Sequence, residues 1–127
     1  MIDRLDHLVL TVKDLQRTAA FYVGILGMEW IEFGEGRCAL GFGRQKINLH
    51  LAGAEIVPHA EPATPGSADL CFILSVALSE AVDRIREGQV PIELGPVERT
   101  GALGPIRSIY VRDPDLNLIE LSEYKRP

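Results

Sequence analysis

The 127 residues predict an α+β protein assembled from two βαβββ modules. Three observations predict it. Strand-like and helix-like periodicities follow the order β-α-β-β-β twice. The two runs are separated by residues 53–67, "GAEIVPHAEPATPGS", with three prolines, two glycines and no periodicity. When the runs are superposed, the polar residues that interrupt their strands coincide: His7 falls on Asp69, Asn48 on Glu120 and His50 on Ser122. The expected organisation is one domain, residues 1–127, with module 1 at about 1–52, the linker at 53–67 and module 2 at about 68–127.

The elements of the first module follow in order. "RLDHLVLTV" reads as a strand with one imidazole, His7, inside it. Asp14 is placed to accept the free N–H groups of a first helical turn. Leu15, Ala19, Tyr22 and Ile25 or Leu26 then share a helical face, and Gly27 is placed to end the helix in a left-handed conformation. Strands are expected at about 28–33, 37–42 and 45–52, punctuated by Gly34, Gly36, Gly41 and Gly43. In the second module "ADLCFIL" is a strand, and "SEAVDRIREG" is a helix capped by Ser79 and closed by Gly88. Strands follow at about 90–98, 106–112 and 117–124, with "RTGALGP" (99–105) as a loop.

Composition narrows the function classes. The net charge is −5, and Lys and Arg are scattered, so no basic face is offered to a phosphate backbone. No apolar run approaches the ~20 residues that span a bilayer. The opening "MIDRLDHLVL" carries acids and lacks a signal-peptide core. These features point to a cytoplasmic protein without nucleic-acid or membrane partners. Cys38 and Cys71 lie in apolar stretches with no Cys-x-x-Cys spacing, and are expected as buried free thiols.

Side chains alternate faces along a strand. Leu118, Glu120 and Ser122 therefore share one face, and Asn48 and His50 share another against Ile47, Leu49 and Leu51. A carboxylate in the middle of "NLIELSE" needs a cation, hydrogen bonds or water. Two facing curved sheets would turn His7, Asn48, Asp69 and Glu120 toward one cleft, and imidazole with carboxylates is divalent-metal chemistry.

"HLVLTVKDLQRTAAFYVGILGM" and "YVRDPDLNLIEL" resemble the vicinal oxygen chelate superfamily, which includes glyoxalase I, fosfomycin and bleomycin resistance proteins and extradiol dioxygenases. "QKINLH" and "GSADLC" are similar to glyoxalase domain-containing protein 5-like chains. The resemblance implies a glyoxalase-like domain whose two modules form an eight-stranded open barrel-like sheet. It implies metal ligands at His7 and Glu120, with Asp69 standing where many members have a second histidine. Asn48 stands where glyoxalase I has a glutamate, and His50 is an alternative ligand or a substrate contact. Glu120 is the implied metal-bound base, and Tyr110 matches a catalytic tyrosine of the extradiol enzymes. The helper histidine of those enzymes is missing from "GALGP", which speaks against ring cleavage. The implied function is a metal-dependent isomerase or lyase that holds a small substrate's vicinal oxygens on Mn, Fe, Ni or Zn. The implied assembly is a homodimer, with strand exchange between protomers left open. The alternative is a metal-free binding protein of the bleomycin-resistance type.

Overall fold

The alternating pattern of HLVLTV folds as β1 (His7–Val12). It is followed by α1 (Leu15–Tyr22), β2 (Glu29–Phe33), β3 (Arg37–Phe42) and β4 (Gln45–Leu51). The same order returns as β5 (Asp69–Ile73), α2 (Leu78–Glu87), β6 (Leu94–Gly101), β7 (Gly104–Arg112) and β8 (Leu118–Tyr124). The computed structural model describes residues 1–125, so the end of module 2, residues 126–127, lies outside the described residues.

The chain divides into two units, Met1–Gly66 and Ser67–Pro127. Each has its own four-stranded mixed sheet, with strand orders β1-β4-β3-β2 and β5-β8-β7-β6. The eight strands are thus distributed four and four, as two βαβββ modules of an α+β fold. In each sheet the first strand runs parallel to the last, and the other pairs are antiparallel. The repeat extends to the register. Val9 pairs with Asn48 as Cys71 pairs with Glu120, and Thr11 pairs with His50 as Ile73 pairs with Ser122. The superposition of His7 on Asp69 therefore describes the backbone as well as the letters.

In the first unit Leu10, Val12, Leu40, Ile47 and Leu49 are buried, as are Phe21 and Tyr22 of α1. Asp14 caps α1 as its chemistry predicts, accepting from the Arg17 N–H at 3.0 Å. The helix ends at Tyr22, earlier than Gly27 suggested. A further turn returns its N–H groups to Ala19 and Phe21, and Gly27, at φ +78°, closes it with the Met28 N–H on the Tyr22 carbonyl. In the second unit α2 lies on β7 and β8. Leu78, Ala81 and Ile85, at helical spacing, are buried together with Ile109, Val111, Ile119 and Leu121. Each of the Leu, Ile and Val side chains contributes about 1.5–3 kcal/mol through burial.

Four local expectations are corrected. Ser79 lies inside the first turn of α2; Ala77 holds the cap position without a side-chain bond. The Leu78 N–H donates instead to Glu123 Oε2 of β8 at 2.9 Å, a carboxylate where the helix dipole favours one. Strand β6 begins at Leu94 rather than 90, and its register against β7 shifts between Leu94 and Val97. Gly95 has φ +113° there, and a Cβ would stand 2.4 Å from the Ser108 carbonyl oxygen. Residues 99–105 form a hairpin, not a loop: Gly101 pairs with Gly104. Cys71 is exposed and Cys38 half-buried, because alternation puts Cys71 on the face of Asp69.

The start of β8 is pinned by its own turn. Asp113 Oδ1 accepts from the backbone N–H of Asp115 and of Asn117, both at 2.9 Å, and Oδ2 accepts from Asn117 Nδ2 at 2.8 Å. Asn117 Oδ1 accepts from the Ala68 N–H at 2.8 Å, and the Leu118 N–H returns to the Ala68 carbonyl. Leu116 takes a left-handed φ of +71° within this turn.

Candidate functional site

Each unit carries polar residues on one sheet face. In the first unit, register sets Val9, Asn48 and Ala39 in one row across β1, β4 and β3. Alternation adds His7, Thr11, Lys46, His50 and Arg37 to that face. His7 is exposed at the start of β1, and its Nδ1 lies 2.8 Å from Asp6 Oδ2. An Nδ1–H that donates to the carboxylate leaves Nε2 as the lone-pair nitrogen, the arrangement a metal ligand requires. The hydrogen bond from His7 holds the Asp6 carboxyl below its ordinary range.

Asn48 and His50 are 6% and 5% exposed. Asn48 Oδ1 and His50 Nδ1 are buried without a hydrogen-bond partner. Each unmet buried polar atom costs about 1–3 kcal/mol. Burial, reinforced by the Arg37 guanidinium and by His59, pushes the His50 pKa down, so its imidazole is neutral at pH 7.

The second unit is built from carboxylates and hydroxyls. Glu120 of β8 stands between Cys71 of β5 and Tyr110 of β7. Ser108 and Ser122 are fully buried beside it. The Ser108 hydroxyl donates to Glu120 Oε2 at 2.6 Å and lies 2.6 Å from the Ser122 hydroxyl. The Cys71 thiol lies 3.3 Å from Ser122 Oγ. The consistent direction is thiol to Ser122, Ser122 to Ser108 and Ser108 to carboxylate, since an ionised carboxylate only accepts. Although the residue as a whole is exposed, partial desolvation of the thiol first, and then the Glu120 and Asp69 charges, push the Cys71 pKa up against the lowering effect of the Ser122 hydrogen bond. Arg99 Nε donates to the Tyr110 hydroxyl at 3.0 Å, with its guanidinium 5.6 Å from the ring centre. Asp69 is exposed, opposite Leu118 and so diagonal to Glu120 on the same face.

The structure therefore groups Asn48 with His50 on the first unit's face, with His7 at its strand start. On the second unit's face it groups Glu120 with Tyr110 and Asp69. Among the described residues, no three His, Cys, Asp or Glu side chains form a metal-holding group. The donors fit a divalent cation by type: an imidazole nitrogen presented by a carboxylate, and carboxylate oxygens. Sequence reasoning missed Asp6, Arg37, Lys46 and Ser108. The signal for Ser108 lay in "IRSIYVR", where alternation puts it with Tyr110 on the face turned to Glu120.

Comparison with known proteins agrees with this architecture. Residues 4–121 match the model of the Glyoxalase/Bleomycin resistance protein/Dioxygenase superfamily. The chain is 55% identical over 124 residues to Virulence protein STM3117 of Salmonella typhimurium, covering 98% of this chain and 86% of that one. It is 36% identical to Lactoylglutathione lyase of Salmonella typhimurium over 130 aligned positions, covering 96% and 93% of the two chains. An integron cassette protein from the mobile metagenome of V. cholerae has a solved structure that superposes with a TM-score of 0.96. It is 54% identical, with 98% of each chain covered. The chain belongs to the Glyoxalase/Bleomycin resistance protein/Dioxygenase superfamily.

Proposed function

We propose that the protein is a metal-dependent glyoxalase-like enzyme, an isomerase or lyase acting on a small molecule through its vicinal oxygens. One observation carries this: the Ser108 hydroxyl donates to Glu120 Oε2 at 2.6 Å, with the Ser122 hydroxyl 3.4 Å from the same oxygen, so the carboxylate is anchored through one oxygen. A carboxylate anchored through one oxygen suits a ligand and a base. The 36% identity to a lactoylglutathione lyase supports the lyase or isomerase direction.

In this proposal His7, Asp69 and Glu120 would hold a divalent ion of the Mn, Fe, Ni or Zn type. When bound, the ion supplies Lewis-acid polarisation of the substrate's oxygens. The Glu120 carboxylate takes the substrate proton, and Ser108 keeps it from rotating as it does so. Tyr110 accepts from Arg99, which leaves its O–H to donate to the substrate. Asn48 and His50 supply polar atoms to the substrate. The working form is a cytoplasmic homodimer.

Elemental analysis of protein purified without chelator tests the proposal. The expected result is near-stoichiometric divalent metal in the wild type, lost in His7→Ala and Glu120→Ala. A wild type that stays metal-free after addition of Mn, Fe, Ni or Zn overturns it. Chelator should also lower the melting temperature, because an ion at a hundred times its Kd stabilises the native state by about 2.7 kcal/mol.

A further inference from the structure

Two cationic side chains of the first unit converge on one aromatic ring. The Arg37 guanidinium lies 4.7 Å from the Phe33 ring centre, and the Lys46 ammonium 4.0 Å from it. Among the described residues, neither has a carboxylate within ion-pairing distance. Phe33 and both cations are half-buried. The same face carries Asn48 and His50, each more than nine-tenths buried and each with an unpartnered polar atom. Arg37 is close enough to His50 to act on its charge. Among the described residues, the carboxylate that acts on His50 is Glu55, which already accepts the Gly53 N–H. Lys46 also acts on the Asp6 carboxylate, but neither cation forms an ion pair, and two cations beside an unmet acceptor and an unmet imidazole nitrogen describe a ligand in negative: an anion carrying a hydroxyl.

We propose that this face binds a small hydroxycarboxylate. The carboxylate lies against Arg37 and Lys46, and the neighbouring oxygen meets Asn48 Oδ1 and His50 Nδ1. A planar guanidinium recognises a carboxylate in a fork, and the ammonium adds a point charge. A ligand hydroxyl donates to Asn48 Oδ1 and accepts from an Nδ1–H of the neutral His50 ring. This subsite rests on the proposed function only in taking the polar face as the ligand's side. It uses none of His7, Asp69 or Glu120.

The probe is lactate, titrated into the isotope-labelled full chain while NMR follows the Asn48 side-chain amide and the His50 imidazole. Acetate has the charge without the hydroxyl, and 1,2-propanediol has hydroxyls without the charge. Lactate should move both signals saturably, and each partial analogue should bind about tenfold more weakly. Arg37→Met should weaken lactate about tenfold, and Arg37→Lys should retain most of the binding. Lys46→Met provides a second reading if Arg37→Met does not fold. Signals unmoved by lactate, propanediol binding as well as lactate, or undiminished binding by Arg37→Met and Lys46→Met would each overturn the proposal. The same titration in Glu120→Ala separates it from the metal assignment. A lactate response in a protein that never binds metal leaves this subsite standing and the metal centre refuted. A metal-loaded wild type with no lactate response does the reverse.

Discussion

The two units use one backbone plan for opposite chemistries. At equivalent register positions the first offers His7, Asn48 and His50, with Arg37 and Lys46 beside them; the second offers Asp69, Glu120 and Ser122, with Ser108 beside them. The first face is cationic and leaves two buried polar atoms unmet. The second is anionic and closes its polar atoms into a chain of hydrogen bonds. The difference teaches that a register fixes where a side chain stands without fixing what it does. A satisfied network holds its own shape, whereas an unsatisfied one is shaped for something else.

The strongest way to break the comparison is through its shared core. Ile47 and Ile119 hold equivalent places in β4 and β8, and both are fully buried. Ile47→Ala and Ile119→Ala should each cost about 2–5 kcal/mol in denaturant unfolding. A large disparity would show that the equivalence ends at the backbone. Next comes Gly95, whose bulge has no counterpart in the continuous β2–β3 register. Gly95→Ala adds a Cβ 2.4 Å from the Ser108 carbonyl at a φ of +113°. Overpacking and backbone strain together should cost about 2–4 kcal/mol.

The faces themselves should then diverge in sign. Ser108→Ala removes the donor to Glu120 and should destabilise the protein by about 1–3 kcal/mol. Asn48→Leu replaces an unmet amide by a similar apolar volume, and should leave stability unchanged or raised. Equal losses in the two variants would contradict the contrast between them. The smallest effect is one of pH. The His50 pKa is lower in the folded chain than its unfolded value of 6.5. Below that value the unfolded state binds more protons. The His50 contribution should therefore be complete above pH 6.5 and decline as the pH falls from there through the folded pKa. His50→Gln should flatten that part of the stability profile.

The repeat, the linker and the polar faces of β4 and β8 were legible because period-2 alternation survives in "KINLH" and "LIELS". What escaped depended on contacts distant in sequence. The cap of α2 comes from Glu123, 45 residues beyond the helix start, so a local serine was the natural choice. The onset of β6 was hidden because "VPIEL" alternates like a strand, although pairing with β7 begins only at Leu94. The apolar run "ADLCFIL" concealed that Cys71 shares a face with Asp69. Ser108 looks like any polar strand residue until its cross-strand neighbours are known.

The turn from Asp113 to Asn117 has a consequence for how such a protein can change. It locks the entry of β8 and ties it to Ala68 without using a single residue of the polar face. A slip of one residue would turn Glu120 to the opposite side of the sheet. With the turn intact, positions 69, 71, 108, 110, 120 and 122 are open to new letters at little risk to alignment. The chain thus separates its grammar from its vocabulary: substitutions confined to the face can try new chemistry, while those in five residues of turn would scramble every variant at once.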